Sequence, residues 1–115
     1  MIKRGDVYWV DLNKAFPEGL HYQRNIRPCV IISNEKNNKF CDTLTVVPLT
    51  TKRDHLPIHK RIFINNTENF ILPEQIMTVD RKYVISKFYH LNFNALRQVE
   101  KAVKLQLGME WVWTI

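Results

Sequence analysis

A short apolar run between a proline and a cluster of turn formers constrains the fold of this chain most. Residues 29–32 read Cys-Val-Ile-Ile, and such a run predicts a strand that is buried on both faces. Pro28 lacks an amide donor, so we expect it outside any central ladder position. The polar stretch 33–38 favours a turn after the strand. Because Pro28 also holds Arg27 in an extended backbone, the strand should start beside a well-fixed cation.

Further strand signals recur at close spacing. We predict strands at residues 7–10, 43–49, 61–64 and 83–88, which are rich in β-branched and aromatic residues. Residues 43–49 alternate between two faces, and Pro48 should place the end of this strand at an edge or a bulge. Residues 65–69 predict a turn, and Pro-Glu-Gln at 73–75 splits the apolar stretch 70–80.

One segment has a helical period. Asn92 is a good N-cap, Gly108 supplies the stop, and Glu100 and Lys104 should form an i,i+4 pair. The apolar residues at helical spacing between the two ends are Leu96, Val99, Val103 and Leu107.

These elements predict a fold that is mainly β with one helix. Five or six short strands suggest a small, strongly curved antiparallel barrel, with the C-terminal helix covering one opening or face. With 115 residues, we expect a single domain over 1–115. A helix-turn-helix is disfavoured because only one helix is convincing.

The net charge and the cysteines limit the partners and the cellular compartment that we expect. The net charge of +6 attracts polyanions, whether nucleic acid, anionic membrane or an acidic partner protein, without choosing among them. No apolar stretch approaches a membrane span, and the charged start is not followed by the apolar region of a secretion signal. Cys29 and Cys41 lack metal-ligand spacing. We therefore expect a cytoplasmic protein with reduced thiols and no metal or cofactor.

Two loops carry most of the polar candidates. Residues 11–26 form a loop long enough to be either functional or poorly ordered. We expect Phe16, in this loop, to be exposed for base stacking. Tyr8 and Trp9, in the preceding strand, should be core residues. Residues 50–61 are basic and could attract phosphate, although a solvated loop is the ordinary alternative. Pro57 excludes a helical zinc pair of His55 with His59.

Metal-free cleavage of RNA supplies a demanding template for the remaining residues. The 2′-OH must lose a proton, a phosphorane must be stabilised, and the leaving oxygen must gain a proton. Arg27 and Thr50 fit the second task by type, but each has a structural alternative, as a strand-end cation and as a hydroxyl satisfying the backbone. Glu74 interrupts an apolar stretch, so it could be semi-buried for catalysis or paired with Arg27 or Arg81.

Four segments in order carry a family resemblance. Residues 3–8 (KRGDVY), 27–34 (RPCVIISN), 45–51 (TVVPLTT) and 73–80 (PEQIMTVD) resemble the MazF/PemK family, toxin endoribonucleases of bacterial toxin–antitoxin pairs. The resemblance extends over nearly the whole chain. It implies an SH3-like barrel, a homodimer and metal-independent cleavage of single-stranded mRNA at a short sequence. It also implies a small, acidic antitoxin whose flexible C-terminal segment fills the RNA groove.

The resemblance implies roles for particular residues. Arg27 matches the catalytic Arg, Thr50 the catalytic Thr, and Glu74 with Gln75 a Glu/Gln pair tied to substrate contact or catalysis. The family's Gly-rich Glu-Gln-Gly-Gly stretch is replaced here by Tyr-Gln-Arg-Asn at 22–25. The general base therefore stays open among Glu18, His21, Tyr22 and Glu74. Candidates for RNA binding are Phe16, Gln23, Lys52, Arg53, His59, Lys60, Arg61 and Gln75.

Three functions follow as hypotheses. The first is an endoribonuclease that leaves a 2′,3′-cyclic phosphate and a 5′-hydroxyl. The second is a CcdB-type toxin that poisons DNA gyrase without cutting RNA, an arrangement with which Trp111 and Trp113 near the C-terminal end agree only loosely. The third is a silent module that binds RNA in a salt-dependent way or binds an antitoxin.

Overall fold

The computed structural model describes residues 1–18, 25–52 and 59–110. Within these ranges the protein is one curved sheet with short helical segments along it. The strands are β1 (Asp6–Asp11), β2 (Ile26–Ile31), β3 (Thr43–Thr50), β4 (Arg61–Ile64), β5 (Thr67–Ile71), β6 (Met77–Asp80) and β7 (Val84–His90). The helices are α1 (Leu12–Ala15), α2 (Glu35–Phe40) and α3 (Phe93–Gln106), and 3₁₀ turns occupy Pro73–Gln75 and Arg81–Tyr83. The predicted mainly β fold with a C-terminal helix is confirmed.

The strand order is β4-β5-β3-β2-β1-β7, with every pair antiparallel and β6 placed beside β3. One edge of β3 changes partner along its length, from β6 near its start to β5 at Leu49 and Thr50. Pro48 lies at this change, and its carbonyl accepts a hydrogen bond from the Leu72 amide at 3.0 Å. Because of this change of partner, the single strand β3 joins β6 to the β4–β5 hairpin.

Pro28 corrects an expectation. It lies inside β2, opposite Trp9 of β1, and β2 is flanked by strands on both sides. The β2–β3 ladder covers only Cys29 to Ile31, so Pro28 falls beyond its last pair and the missing amide interrupts no bond there. The prediction that Pro28 stands outside any central ladder position was wrong, because Pro28 is paired with Trp9 in the β1–β2 ladder.

The core has two layers, one on each face of the sheet. On the helix face, α3 packs Val99 and Ala102 onto a buried cluster that includes Val30, Val47 and Leu49. On the other face, which we call the far face, the buried cluster comprises Val10, Leu12, Cys29, Ile31, Leu44, Val46 and Val79. The predicted alternation of residues 43–49 is confirmed, since Leu44 and Val46 lie on one face and Val47 and Leu49 on the other.

Helix α3 begins and ends where the sequence predicts. The Asn92 side chain accepts a hydrogen bond from the Ala95 amide at 2.8 Å, and Gly108 follows the helix with a φ of +71°. The predicted Glu100 pair is wrong in its partner, because Glu100 binds Arg4 at 2.6 Å and not the lysine one turn on. No helix of the described residues is long and apolar enough to cross a membrane.

Three polar segments differ from their predictions. The stretch after β2 forms α2, whose N-cap Asn34 accepts from the Asn37 amide at 2.8 Å. The loop after β1 begins with α1. The turn predicted at 65–69 occupies only Asn65 and Asn66, both at positive φ, and β5 starts at Thr67, which brings the strand count among described residues to seven. Side-chain capping by Asn has no apolar period, so these short elements carried little signal.

Candidate active site

Strand pairing relates three of the candidate side chains, Arg27, Thr50 and Arg61, through one row of residues that also includes Phe70. The β2–β3 register, extended by two residues, places Arg27 opposite Thr50. Thr50 pairs with Phe70 of β5, and Phe70 pairs with Arg61 of β4. Because directly paired residues share a face, these four side chains form a row, which we call the Arg27 row. The extended register thus directs toward each other two residues that the sequence separates by 23 positions.

Arg27 and Thr50 present hydrogen-bond donors at this row. Arg27 is half-buried, and its guanidinium carries five N–H groups in a fixed fork. Thr50 is 9% exposed, and its Oγ1 accepts from the Lys52 amide at 3.2 Å. Accepting through oxygen leaves the Thr50 hydroxyl proton able to donate to a bound anion. The pair can therefore bind phosphate oxygens from two strands.

Cys29 lies beneath Arg27 on the same strand and face. Burial raises the pKa of the Cys29 thiol to about 12, although the nearby charge of Arg27 acts in the opposite direction. The thiol is therefore protonated at neutral pH and cannot serve as a nucleophile. Cys41 is exposed, and both thiols are free.

Glu74 is held by a histidine. The Nε2 atom of His59 lies 2.9 Å from both carboxylate oxygens of Glu74. The His59 side chain is 6% exposed, whereas that of Glu74 is 30% exposed. Arg81, one partner considered for Glu74, instead donates to the carbonyls of Asn38 and Cys41, so that alternative was wrong.

The remaining RNA-binding candidates differ in their surroundings. Lys52 is exposed and Lys60 is half-buried. Arg61 donates to Glu68 at 2.7 Å, so part of its charge is already neutralised. Gln75 is buried, and among the described residues its Oε1 has no hydrogen-bond donor. Glu18 is exposed.

The aromatic residues are more buried than a stacking surface requires. Phe16 is half-buried and packs against the far-face cluster, because α1 turns the start of the loop back onto the sheet. The expectation of an exposed Phe16 ring was therefore wrong. Tyr8 packs against the same cluster, and Trp9 lies 4.9 Å from Phe88 between ring centroids.

Several candidates lie outside the described residues and stay predictions. They are His21, Tyr22, Gln23, Arg53, His55, Trp111 and Trp113. Across 1–18, 25–52 and 59–110, no group of His, Cys, Asp and Glu is arranged to hold a metal ion. Sequence reasoning placed His59 only in the RNA-binding patch and missed its contact with Glu74, since 15 positions and no shared motif separate the two.

Comparison with known proteins bears on the fold and the family of this chain. Three solved structures share the fold at low sequence identity. An endoribonuclease from a mycobacterial species, in complex with its cognate antitoxin, has a TM-score of 0.76 at 20% identity over 97% of this chain and 100% of that one. MazF from Deinococcus radiodurans has a TM-score of 0.79 at 18% identity over 94% and 97% of the two chains. A MazE–MazF complex from the same organism has a TM-score of 0.73 at 14% identity over 95% and 97%.

The family assignment comes from a broader match. Residues 3–107 match the family model described as PemK-like, MazF-like toxin of type II toxin–antitoxin system. This range includes every strand of the sheet and helix α3. The predicted curved antiparallel barrel with a C-terminal helix takes the form of a half-barrel, which the MazF-like solved structures share. The chain therefore belongs to the PemK-like, MazF-like family of toxins.

Proposed function

We propose that this chain is the toxin of a toxin–antitoxin pair and that it cleaves single-stranded mRNA at a short sequence without a metal ion. The geometry that supports the proposal is the β2–β3 register, which ends at Cys29 opposite Pro48 and, continued by two residues, directs Arg27 toward Thr50. Family membership and the endoribonucleases among the similar structures support it. The net charge of +6 favours a polyanionic substrate.

The chemistry is an internal transfer at phosphorus. The substrate 2′-oxygen attacks the adjacent phosphorus, and the bond from phosphorus to the 5′-oxygen breaks. The products are a 2′,3′-cyclic phosphate and a 5′-hydroxyl. Arg27 stabilises the additional negative charge of the phosphorane with paired N–H groups, and the Thr50 hydroxyl hydrogen-bonds the scissile phosphate. Lys52 and Lys60 attract the flanking backbone.

The proposal includes two protein partners. Similar structures contain a cognate antitoxin, and the positive charge of this chain favours an acidic antitoxin segment. We propose that such a segment occupies the RNA groove and that the active toxin is a homodimer. Sedimentation of the toxin alone and with an acidic antitoxin peptide would give both stoichiometries.

A cleavage assay tests the proposed activity. Purified protein is incubated with a long single-stranded RNA in EDTA, beside Arg27→Ala, Thr50→Val and the control Arg97→Ala. Arg97 is exposed on α3 and is not part of the Arg27 row. We expect Arg27→Ala to slow cleavage by about 100-fold to 1,000-fold, Thr50→Val by about 10-fold, and the control to cut at the normal rate.

The product ends and the cleavage map complete the test. End-group analysis should find a 2′,3′-cyclic phosphate, and the map should show one short recurring sequence. Uncut RNA with the normal protein, or equal cutting by Arg27→Ala, would refute the proposal. Uncut RNA together with trapped gyrase–DNA adducts would support the gyrase-poisoning alternative.

A further inference from the structure

The contact between His59 and Glu74 joins two segments with very different solvent exposure. Nε2 of His59 lies 2.9 Å from both Oε atoms of Glu74. Since an ionised carboxylate can only accept, Nε2 must carry the hydrogen and donate it. The imidazole is 6% exposed and the carboxylate 30% exposed. The histidine is thus the fixed member, and the carboxylate is the member that solvent or a ligand can reach.

Strand register places this contact beside the Arg27 row. The Ile71 amide donates to the Lys60 carbonyl at 2.8 Å, which continues the β4–β5 register past Arg61. His59 precedes Arg61 by two positions, so an extended backbone directs both side chains to the same side of this segment. Two residues along a strand span about 6.8 Å, so His59 stands one pleat from Arg61, which is the end of the row farthest from Arg27.

Nearby contacts hold both the backbone and the side chain of Glu74. Glu74 lies in the 3₁₀ turn Pro73–Gln75, which follows the Leu72 amide bonded to β3 at Pro48. The turn therefore fixes the backbone of Glu74 relative to the strand that carries Thr50. The contact with His59 then fixes the side chain. A carboxylate whose backbone and side chain are both fixed is suited to receive a proton from a defined direction.

We propose, on the basis of the proposed ribonuclease function, that His59 is a positioning residue that orients Glu74 as the general base. Glu74 takes the proton of the 2′-OH as the 2′-oxygen bonds to phosphorus. The bond to the 5′-oxygen then breaks, and that oxygen takes a proton from water, while Glu74 returns its proton to solvent. The reaction has no net change in protons. His59 contacts RNA little, because almost all of its surface is buried.

The ordinary alternative is an ion pair that only ties the start of β4 to the 3₁₀ turn. Such a pair would affect unfolding and leave the turnover of folded enzyme unchanged. A second alternative is that His59 contacts RNA directly, as the sequence suggested. That role would change KM and would add to the effect of losing Glu74. Kinetics of single and double variants separate all three roles.

The experiment measures kcat and KM on a short RNA that contains one mapped cleavage site. The variants are Glu74→Gln, His59→Ala, His59→Gln and the double variant His59→Ala with Glu74→Gln, with Arg97→Gln as the control. Circular dichroism confirms folding at the assay temperature. His59→Gln keeps an N–H donor that reaches toward Glu74, so it reports on positioning without removing the contact.

We expect Glu74→Gln to lower kcat by about 100-fold or more, which is the usual range for losing a general base. His59→Ala should lower kcat by about 10-fold with KM nearly constant, and His59→Gln should recover most of the loss. The double variant should be no slower than Glu74→Gln alone, because His59 acts only through that carboxylate.

Three results would overturn the role of His59: a normal kcat in His59→Ala, a change confined to KM, or a double variant whose losses multiply. A normal kcat in Glu74→Gln would exclude Glu74 as the base. Each of these outcomes is seen in an enzyme that still cuts RNA. Failure of the unmodified protein to cut at all would instead refute the proposed function, so the two failures are distinguishable.

Discussion

Asp6 offers a direct test of the energetics of this fold. Its side chain is fully buried at the start of β1. Oδ2 accepts from the Lys3 amide at 2.9 Å, and Oδ1 lies 2.6 Å from Nδ1 of His90 and 3.3 Å from Nζ of Lys87. One carboxylate thus joins the N-terminal segment to the end of β7. We expect Asp6→Asn to weaken this junction while preserving its shape.

The magnitude follows from the three contacts. The Lys3 amide donates to a charged acceptor, which contributes about 1.5–3 kcal/mol, and an Asn oxygen retains about 1 kcal/mol of this. The side chains of His90 and Lys87 are about half exposed, so each of these two contacts with Asp6 contributes only about 0.2–1 kcal/mol. The free energy of unfolding should therefore fall by about 2 kcal/mol, or about 8 °C in Tm.

The pKa of Asp6 predicts how the stability difference between the normal protein and Asp6→Asn changes with pH. Burial raises the pKa of Asp6, but the hydrogen bonds from Lys3, His90 and Lys87 outweigh this and hold the pKa below its ordinary value of 3.8. Because the folded pKa is lowered, the stabilisation is complete above the unfolded pKa and is lost as pH falls through the folded pKa. The gap between normal protein and Asp6→Asn should narrow below about pH 4.

Urea denaturation at pH 7 and in acid measures this gap. The control is Asp42→Asn, which changes the same chemical group at an exposed position and should stay within about 0.5 kcal/mol of the normal protein. Equal unfolding midpoints for Asp6→Asn and normal protein at pH 7, or a gap that is constant into acid, would contradict the reasoning.

Two further predictions concern the helix cap and the thiols. Asn92→Ala removes the side chain that caps α3 and should lower the free energy of unfolding by about 1 kcal/mol in urea titrations. The control Asn94→Ala, within the first turn, should leave it unchanged. Equal losses in the two variants would argue against the cap. At pH 8, iodoacetamide should alkylate Cys41 and spare Cys29, because burial raises the pKa of Cys29 to about 12. Mass spectrometry reports both sites, and rapid labelling of folded Cys29 would contradict its burial.

The parts of the fold that the sequence predicts are those with their own period. Helix α3 has an apolar stripe with a cap at one end and a glycine at the other, and β3 alternates between two faces. The failures have a different physical origin. Pro28 is tolerated in β2 because a ladder ends beside it, and Glu100 binds Arg4 because the fold brings the N-terminal segment to α3. Both depend on contacts between distant segments.

In the candidate site, too, the sequence identified some residues and missed a contact between distant segments. Arg27 and Thr50 were identified by motif, and their catalytic roles stay a prediction; the β2–β3 register reaches Cys29 and Pro48, two residues short of them. The contact of His59 with Glu74 had no sequence signal. It becomes visible only when the β4–β5 pairing is known, because His59 lies two residues before β4 and its position follows from that pairing.

The register of the β4–β5 hairpin is itself fixed by two residues. Asn65 and Asn66 both have positive φ, the conformation of a two-residue turn that pairs Ile64 directly with Thr67. A slip of one residue would move every side chain of β4 to the other face. His59 would then point away from Glu74, and the apolar residues of β4 would leave the core beneath α3. Packing of the hairpin and orientation of Glu74 therefore depend on the same turn, so the turn that stabilises the fold also aligns the proposed base.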